Sequence, residues 1–307
     1  MMTIVSNNTM KNQYRRMYIL FLAPILALYL FFFVYPAIKA FYVSMFDWSG
    51  FTTEMDYIGF GNFVELSHDS RFWNVAVKNT LGIIFYGGGL IFAFSFIISG
   101  VLTTEIKGKK IFRAIVFLPT VINPVAVGIL WGFIYNRNWG LLNNILGIVG
   151  LENLQQTWTA PKTLFWAILI ALVWAFTGFY CIIMLAALDR VPVDILENAR
   201  LEGAGELTMF FKIKIPLIWD VLVTLIIFWV ITAIKEFALL FVWGGGVDIP
   251  PDGATNIAVA IFVSAFGKRV TTYRMGYSTA MGVIMFLMVM FFVLVISRIT
   301  KRDVIEY

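Results

Sequence analysis

Residues 164–188 read LFWAILIALVWAFTGFYCIIMLAAL and run directly into DRVPVDILENARLEGAGELTMFFKIKIP at 189–216. The first stretch holds no charged residue. At about 1.5 Å per residue it is long enough to cross a hydrocarbon layer of roughly 30 Å as one helix. The second stretch is rich in charge and is punctuated by Pro192, Gly203, Gly205 and Pro216. An apolar helix followed by a charged, interrupted segment is the pattern of a membrane crossing that emerges into water.

Working outward, the pattern recurs. Apolar runs at 17–41, 72–102, 114–135, 164–188, 217–243 and 275–297 each suit a crossing. They predict an all-α, polytopic membrane protein with six transmembrane helices in one transmembrane domain over 1–307. The run at 72–102 exceeds what the bilayer needs, so part of it should tilt or leave the core. The run at 256–266 is too short to cross and is expected to be interfacial or re-entrant. Lys11, Arg15 and Arg16 ahead of the first run resemble a signal-peptide start. That run is long and has no small-residue cleavage pattern, so it is expected to remain as a span.

Composition agrees. The chain is 60% hydrophobic and 13% charged, with a mean hydropathy of +0.85, whereas soluble domains carry about 25% charged residues. The excess could not be hidden in one water-soluble core. The net charge is +5, but the basic residues sit in short clusters beside apolar runs, which fits membrane orientation rather than nucleic acid. Six crossings put both termini on one side. That side holds fourteen basic residues in the N-tail, the 2–3 loop, the 4–5 loop and the C-tail; the other holds six, Arg71, Arg137, Lys162, Lys268, Arg269 and Arg274. The richer side is expected to be cytoplasmic. The segment at 244–253, rich in Gly and Pro, is expected to be irregular and external.

Within 189–216, Pro192 suits a first helical turn and Asp194 suits the positive end of the helix dipole. Pro192, Ile195, Leu196 and Ala199 share one helical face; Asp194, Glu197, Asn198 and Glu202 share the opposite one. Gly203 can end the helix in a left-handed conformation. A second short helix is expected over 206–213, with Leu207, Phe210, Phe211 and Lys214 as its stripe. Pro216 should break it and open the fifth span. Amphipathicity alone fits a surface loop that joins two spans and fits equally a docking element for a soluble partner.

Glu197-Asn198-Ala199, then Gly203-Ala204, then Phe210, Ile213 and Ile215-Pro216 resemble the EAA motif of binding-protein-dependent ABC importer permeases, with its spacing kept. Asn198, Glu202 and Ile215 depart from the commonest residues. Tyr57–Phe63, Phe72–Thr80, Leu118-Pro119, Gly140–Asn143 and the span from Trp174 to Leu188 are similar to the maltose-type carbohydrate branch, as is Gly244-Gly245-Gly246 followed by Thr255, with Gly246 where Pro is usual. The resemblance implies the type I ABC importer permease fold in a bacterial inner membrane. It implies a second homologous permease, two ATPase subunits that bind ATP and Mg, an extracytoplasmic solute-binding protein and a carbohydrate substrate. In such permeases the motif forms a cytoplasmic coupling helix seated in a cleft of the ATPase. Glu197, Asn198, Ala199, Gly203, Ala204, Phe210, Ile213 and Pro216 are carried over onto that role.

The chain lacks a G-x-x-x-x-G-K-[ST] phosphate loop and a G-x-G-x-x-G fingerprint after a strand. It has one His, His68, and one Cys, Cys181, so neither a disulfide nor a Cys/His zinc site is expected. No catalytic centre, metal or cofactor is expected in this chain, and ATP hydrolysis belongs on another polypeptide. Polar groups inside spans are costly and often functional. This singles out Asn79, Tyr86, Asn123, Lys235 and Glu236 as substrate-pathway candidates, with Trp131, Trp174 and Trp229 as rings on which a sugar can stack. The abundance of aromatics fits packing as well. The same machinery could carry a glycerol phosphodiester or a polyamine. An integral-membrane enzyme would need facing acidic or His residues at depth, and a secondary transporter would show two matching halves.

Overall fold

The computed structural model describes residues 7–104, 107–244, 250–267 and 273–301. Gly245, Gly246, Lys268, Arg269 and Arg302 lie outside the described residues, as does the side chain of Lys11. Among the described residues, five helices are long and apolar enough to cross a membrane: Tyr14–Val43, Phe72–Leu102, Leu164–Leu188, Trp219–Trp243 and Met275–Ile299. Lys109–Val121 and Pro124–Ile134 make a sixth if taken together, although they are bent by 101°.

The continuous crossing expected over 114–135 is therefore two helices. Ile122 leaves the helical region at ψ 135° and Asn123 at ψ 132°. The Asn123 side chain accepts a hydrogen bond from the Val125 N–H at 2.9 Å, and Pro124 follows as the first helical residue. An Asn cap followed by Pro starts a new helix, since Pro lacks the N–H that would continue the old one.

Leu164–Leu188 is the centre. Of its most apolar window 61% is buried, against none for Tyr14–Val43. It is apolar on all sides and packs against other helices on most of them, leaving a stripe at Trp166, Ile170 and Trp174 exposed. Phe72–Leu102 and Lys109–Val121 lie along it. The latter comes so near at Gly178 that a Cβ there would sit 2.1 Å from the Val116 carbonyl oxygen. One turn away Thr120 Oγ1 donates to the Ala175 carbonyl at 3.1 Å. Small residues that admit backbone contact are the common adhesive between membrane helices.

The fifth span is also interrupted. Trp219–Lys235 ends at Glu236, ψ 121°, and Ala238–Trp243 begins after it. The Glu236 carboxylate accepts from the Leu239 N–H at 3.1 Å. Its carbonyl accepts from the Asn256 side chain, whose oxygen in turn caps Ile257–Phe266 through the Val259 N–H at 2.9 Å. Backbone freed inside a bilayer has to be satisfied by protein, and these side chains do so. The two short halves, Pro124–Ile134 and Ala238–Trp243, pack on each other. A Cβ on Gly128 would lie 3.0 Å from Val242 Cγ1.

Phe72–Leu102 spans 31 residues, about 46 Å as a helix, which is longer than the hydrocarbon core. Its first turns are clasped by the 250–257 segment. Arg71 donates to the Pro250 carbonyl at 2.9 Å, Asn79 to the carbonyls of Asp252 and Thr255 at 2.6 and 2.8 Å, and the Ile257 N–H to Thr80 Oγ1 at 3.1 Å. At the same end residues 46–69 form a small cap with a two-residue antiparallel ladder, Phe46 to Tyr57 and Asp47 to Asp56. Asn62, 2% exposed, holds it by donating to the carbonyls of Ser44 and Phe46 at 3.0 and 2.9 Å. Arg274, just before the last span, donates to both carboxylate oxygens of Glu65, and Tyr277 donates to Asp69 at 2.7 Å.

Two measurements test this packing. Gly178→Ala should lower the detergent melting stability by about 1–3 kcal/mol, the usual cost of overpacking, whereas Gly282→Ala, whose Cβ meets open space, should not. The Arg274 guanidinium, hydrogen-bonded to Glu65, holds that carboxyl below the usual carboxylate range. The pair therefore stabilises the cap above the unfolded carboxylate pKa, and that contribution is lost as pH falls through the folded one. The melting difference between wild type and Glu65→Gln should be small, since both side chains are over a third exposed. It should be present at neutral pH and vanish in acid; a gap that widens in acid would contradict the pairing.

Candidate functional site

The 189–216 segment forms an elbow at the end of the bundle opposite the 46–69 cap. Its first limb is the helix Val193–Leu201, with Asp194 in the first turn and Arg200 in the last. No residue of this helix is fully buried. Pro192, Ile195, Leu196 and Ala199 are half-buried toward the bundle, while Asp194, Glu197, Asn198 and Glu202 are exposed. Leu201 and Val193 are also exposed, at 87% and 62%, so the outer surface mixes acid, amide and aliphatic groups.

Gly203 makes the turn, with φ +85°. Its N–H donates to the Arg200 carbonyl at 3.0 Å and the Ala204 N–H donates to the Ala199 carbonyl at 2.9 Å. This nested pair is the Schellman ending, which satisfies carbonyls a helix terminus leaves free and needs a left-handed residue. Arg200 reaches over the turn to Glu206 at 3.3 Å. Arg113 at the start of the third crossing binds Asp189 at 2.8 Å and fixes the elbow's root.

The second limb differs from the expected short helix. Glu206–Thr208 passes into a π-helical turn at Met209–Lys214 and then Ile215–Leu217. Pro216 lies inside this continuous stretch, and the chain turns only at Ile218, φ −100°. A π turn shifts the hydrogen-bond pattern by one residue, which rotates the following side chains around the axis. The stripe of Leu207, Phe210, Phe211 and Lys214 is accordingly split. Phe210 and Lys214 are 8% exposed and Met209 1%, whereas Leu207 and Phe211 are 77% and 59% exposed. Phe210 meets Phe96 edge-on at 6.5 Å and lies against Gly100, so the elbow is bolted to the end of the second span. Ile213 and Pro216 are half-buried beside it.

The substrate-pathway candidates fall in separate places. Asn79 and Tyr86 line a groove of about 740 Å³ with Trp73, Lys78 and Trp166, between the cap-side ends of the second and fourth spans. Tyr86 is 56% exposed and its ring lies 5.3 Å from that of Trp166. Both Asn79 amide hydrogens are committed to the 250–257 segment. Trp131 and Trp174 form an edge-to-face pair at 5.8 Å, and Trp131 Nε1 is buried with no hydrogen-bond partner among the described residues. Trp229 is 2% exposed, donates to the Ile84 carbonyl at 3.0 Å and fills the space left by Gly87 and Gly88. Asn123 and Glu236 cap the two interrupted helices, and Lys235 is exposed beside the second break. Trp73 and Trp166 went unnoticed in the sequence; the signal was their position within a few residues of polar groups at the start of an apolar run. Among the described residues no cluster of three or more His, Cys, Asp or Glu is placed to hold a metal. Cys181 is fully buried, and His68 is exposed at the end of Gly61–His68, its Nδ1 2.9 Å from the Val64 carbonyl.

Comparison with known proteins gives a consistent result. The chain is 30% identical over 283 residues, 90% of its own length and 92% of the relative's, to a probable ABC transporter permease protein, YurN, of Bacillus subtilis. It is 30% identical to the trehalose/maltose transport system permease protein MalF of Thermococcus litoralis, covering 96% of this chain and 98% of that one. It is 29% identical to the diacetylchitobiose uptake system permease protein NgcF of Streptomyces coelicolor, covering 92% and 82%. In fold it matches a chain of a crystallised bacterial ABC transporter involved in import of the acidic polysaccharide alginate, with TM-score 0.75, 23% identity, and coverage of 96% of this chain and 99% of that one. The profile of the family described as binding-protein-dependent transport system inner membrane component matches residues 97–305, more than half of the chain and all of the elbow, and the chain belongs to that family.

Proposed function

We propose that this chain is one permease of an ATP-driven importer that moves a sugar or oligosaccharide handed over by an extracytoplasmic binding protein. The observation that carries the reading is the elbow: a capped helix fastened at both ends to spanning helices, with its polar face turned outward. A rigid part of that kind can transmit displacement, which a flexible loop cannot. The relatives named for trehalose, maltose and diacetylchitobiose transport support a carbohydrate cargo. The alginate transporter has also been seen with a periplasmic protein holding an alginate pentasaccharide.

In this reading both termini and the elbow are cytoplasmic in a bacterial inner membrane. A second, homologous permease completes the pathway, and the unburied first span Tyr14–Val43 supplies surface for it. Two ATPase subunits bind ATP and Mg and close on one another. Glu197, Asn198 and Ala199 sit in the ATPase cleft, Gly203 keeps the turn tight, and Phe210 with Ile213 and Pro216 delivers the movement to the second and fifth spans. The spans rock from inward-facing to outward-facing and the binding protein releases its sugar. The groove at Lys78, Asn79, Tyr86 and Trp166 offers ring faces and hydrogen-bonding groups on the side where cargo arrives.

A Cβ on Gly203 meets open space, so substitution there strains the turn without disturbing the core. Gly203→Asp should insert at normal levels, yet loaded binding protein should no longer stimulate ATP hydrolysis and uptake should be lost. Gly203→Asn, neutral and tolerant of the left-handed region, should retain most of both. Full uptake by the Asp variant would remove the elbow from the coupling path. Titration calorimetry of the cognate binding protein should give heat with neutral oligosaccharides or uronic-acid oligomers and none with glycerol phosphodiesters or polyamines. The reverse pattern would replace sugar as the cargo.

A further inference from the structure

The inner angle of the elbow contains a groove that shares Phe210 with the coupling path but whose open side that path leaves unfilled. Its volume is about 300 Å³, and it runs between the end of the second span and the π turn at Met209–Lys214. Phe96, Ile97, Gly100 and Val101 form one wall, and Phe210 and Phe211 form the other. Thr103 and Thr104 turn their hydroxyls back onto the carbonyls of Gly100 and Val101 at 2.7 Å each. Glu206, at the mouth, is held by Arg200 at 3.3 Å. The remaining polar lining group is Lys214. It is only 8% exposed, and no described residue provides it with a carboxylate or a hydrogen-bond acceptor.

The Lys214 stem is enclosed while its ammonium keeps a path to the surface, and a cation with no counter-charge at the end of an apolar groove is free to take an anion. The π turn places Lys214 beside Phe210, so that the cation and the apolar walls share one groove. Such a charge at the end of a membrane span calls for an anion that arrives together with apolar bulk. We propose that the groove is a binding site for an anionic phospholipid, with the phosphate on Lys214 and one acyl chain laid along Phe96, Ile97, Gly100 and Phe210. A carboxylate from a partner protein would meet the charge but leave the apolar trough empty. A free anion would do the same. The phospholipid satisfies both halves of the groove, and Lys212, exposed on the same turn, adds positive potential at the mouth. The inference rests on the elbow lying at headgroup level, as the proposed orientation has it. It requires no ATPase.

The test is photolabelling of the full chain in phosphatidylethanolamine vesicles doped with phosphatidylglycerol bearing a diazirine in one acyl chain, with peptide mapping of the adducts. Labels should concentrate in 96–104 and 206–214. A phosphatidylcholine probe with the same chain should label these peptides about fivefold less, the effect of one lysine on an anionic headgroup. Lys214→Gln should reduce phosphatidylglycerol labelling by a similar factor, and Lys214→Arg should preserve it. Ile97 lies on the rim at 62% exposure, so Ile97→Trp should block the trough and abolish labelling there even if Lys214→Gln does not fold. Equal labelling by the two probes, or full labelling of folded Lys214→Gln, would overturn the site. So would carbodiimide coupling of Lys214 to a carboxylate of another subunit in the assembled transporter, which would make the occupant protein. Each result can be obtained with transport intact, so it is distinguishable from failure of the coupling reading.

Discussion

The structure turns on the backbone contact between Lys109–Val121 and Leu164–Leu188 at Gly178. Lipid tails are as apolar as the side chains they face, so little is gained simply by removing Leu or Phe from lipid. Helices in a bilayer hold together through close fit and through polar groups that cannot be left alone. The missing side chain at 178 lets a carbonyl of one helix touch the axis of another, and the Thr120 hydroxyl closes the seam. Once those two helices are locked, the second span can lie along the other side of Leu164–Leu188, and Trp229 of the fifth can fill the hollow over Gly87 and Gly88. The first span takes no part in this core.

A second constraint shapes what is added to that core. Every interruption of a helix at membrane depth must find partners for the groups it frees. The break at 122–123 is closed by the Asn123 cap. The break at 236–237 is closed by its own Glu236 and by Asn256. The latter spends its carboxamide twice, on the fifth span and on the start of the short helix Ile257–Phe266. The segment from 250 to 257 is thereby stitched to both the second and the fifth spans. What looks like a surface loop is a structural clasp.

These features were unequally legible in the sequence. Apolar length gave the spanning helices because the bilayer imposes a single length scale. The two faces of Val193–Leu201 followed from helical periodicity, and the left-handed turn from a glycine at the end of an amphipathic stretch. Asn123-Pro124 carried a readable start signal, but the uninterrupted apolar run around it masked the break. The break at Glu236 had no local signature, since its partner Asn256 lies twenty residues on and meets it only in the folded chain. The π turn was equally invisible: Met209–Lys214 has ordinary helix formers, and the shift in register depends on how Phe210 seats against Phe96 and Gly100. For the same reason Trp229 was indistinguishable from the other tryptophans until its neighbours were in place.

The pairing of the two short half-helices has a mechanical meaning. Pro124–Ile134 and Ala238–Trp243 are each joined to a longer helix by a single bend, yet they are pressed together at Gly128 and Val242. Neither bend can open or close without dragging the other. Two joints that would otherwise flex independently share one degree of freedom, as meshed gears do. Residues at that small meshing surface set how the cap side of the molecule answers a push on either shaft.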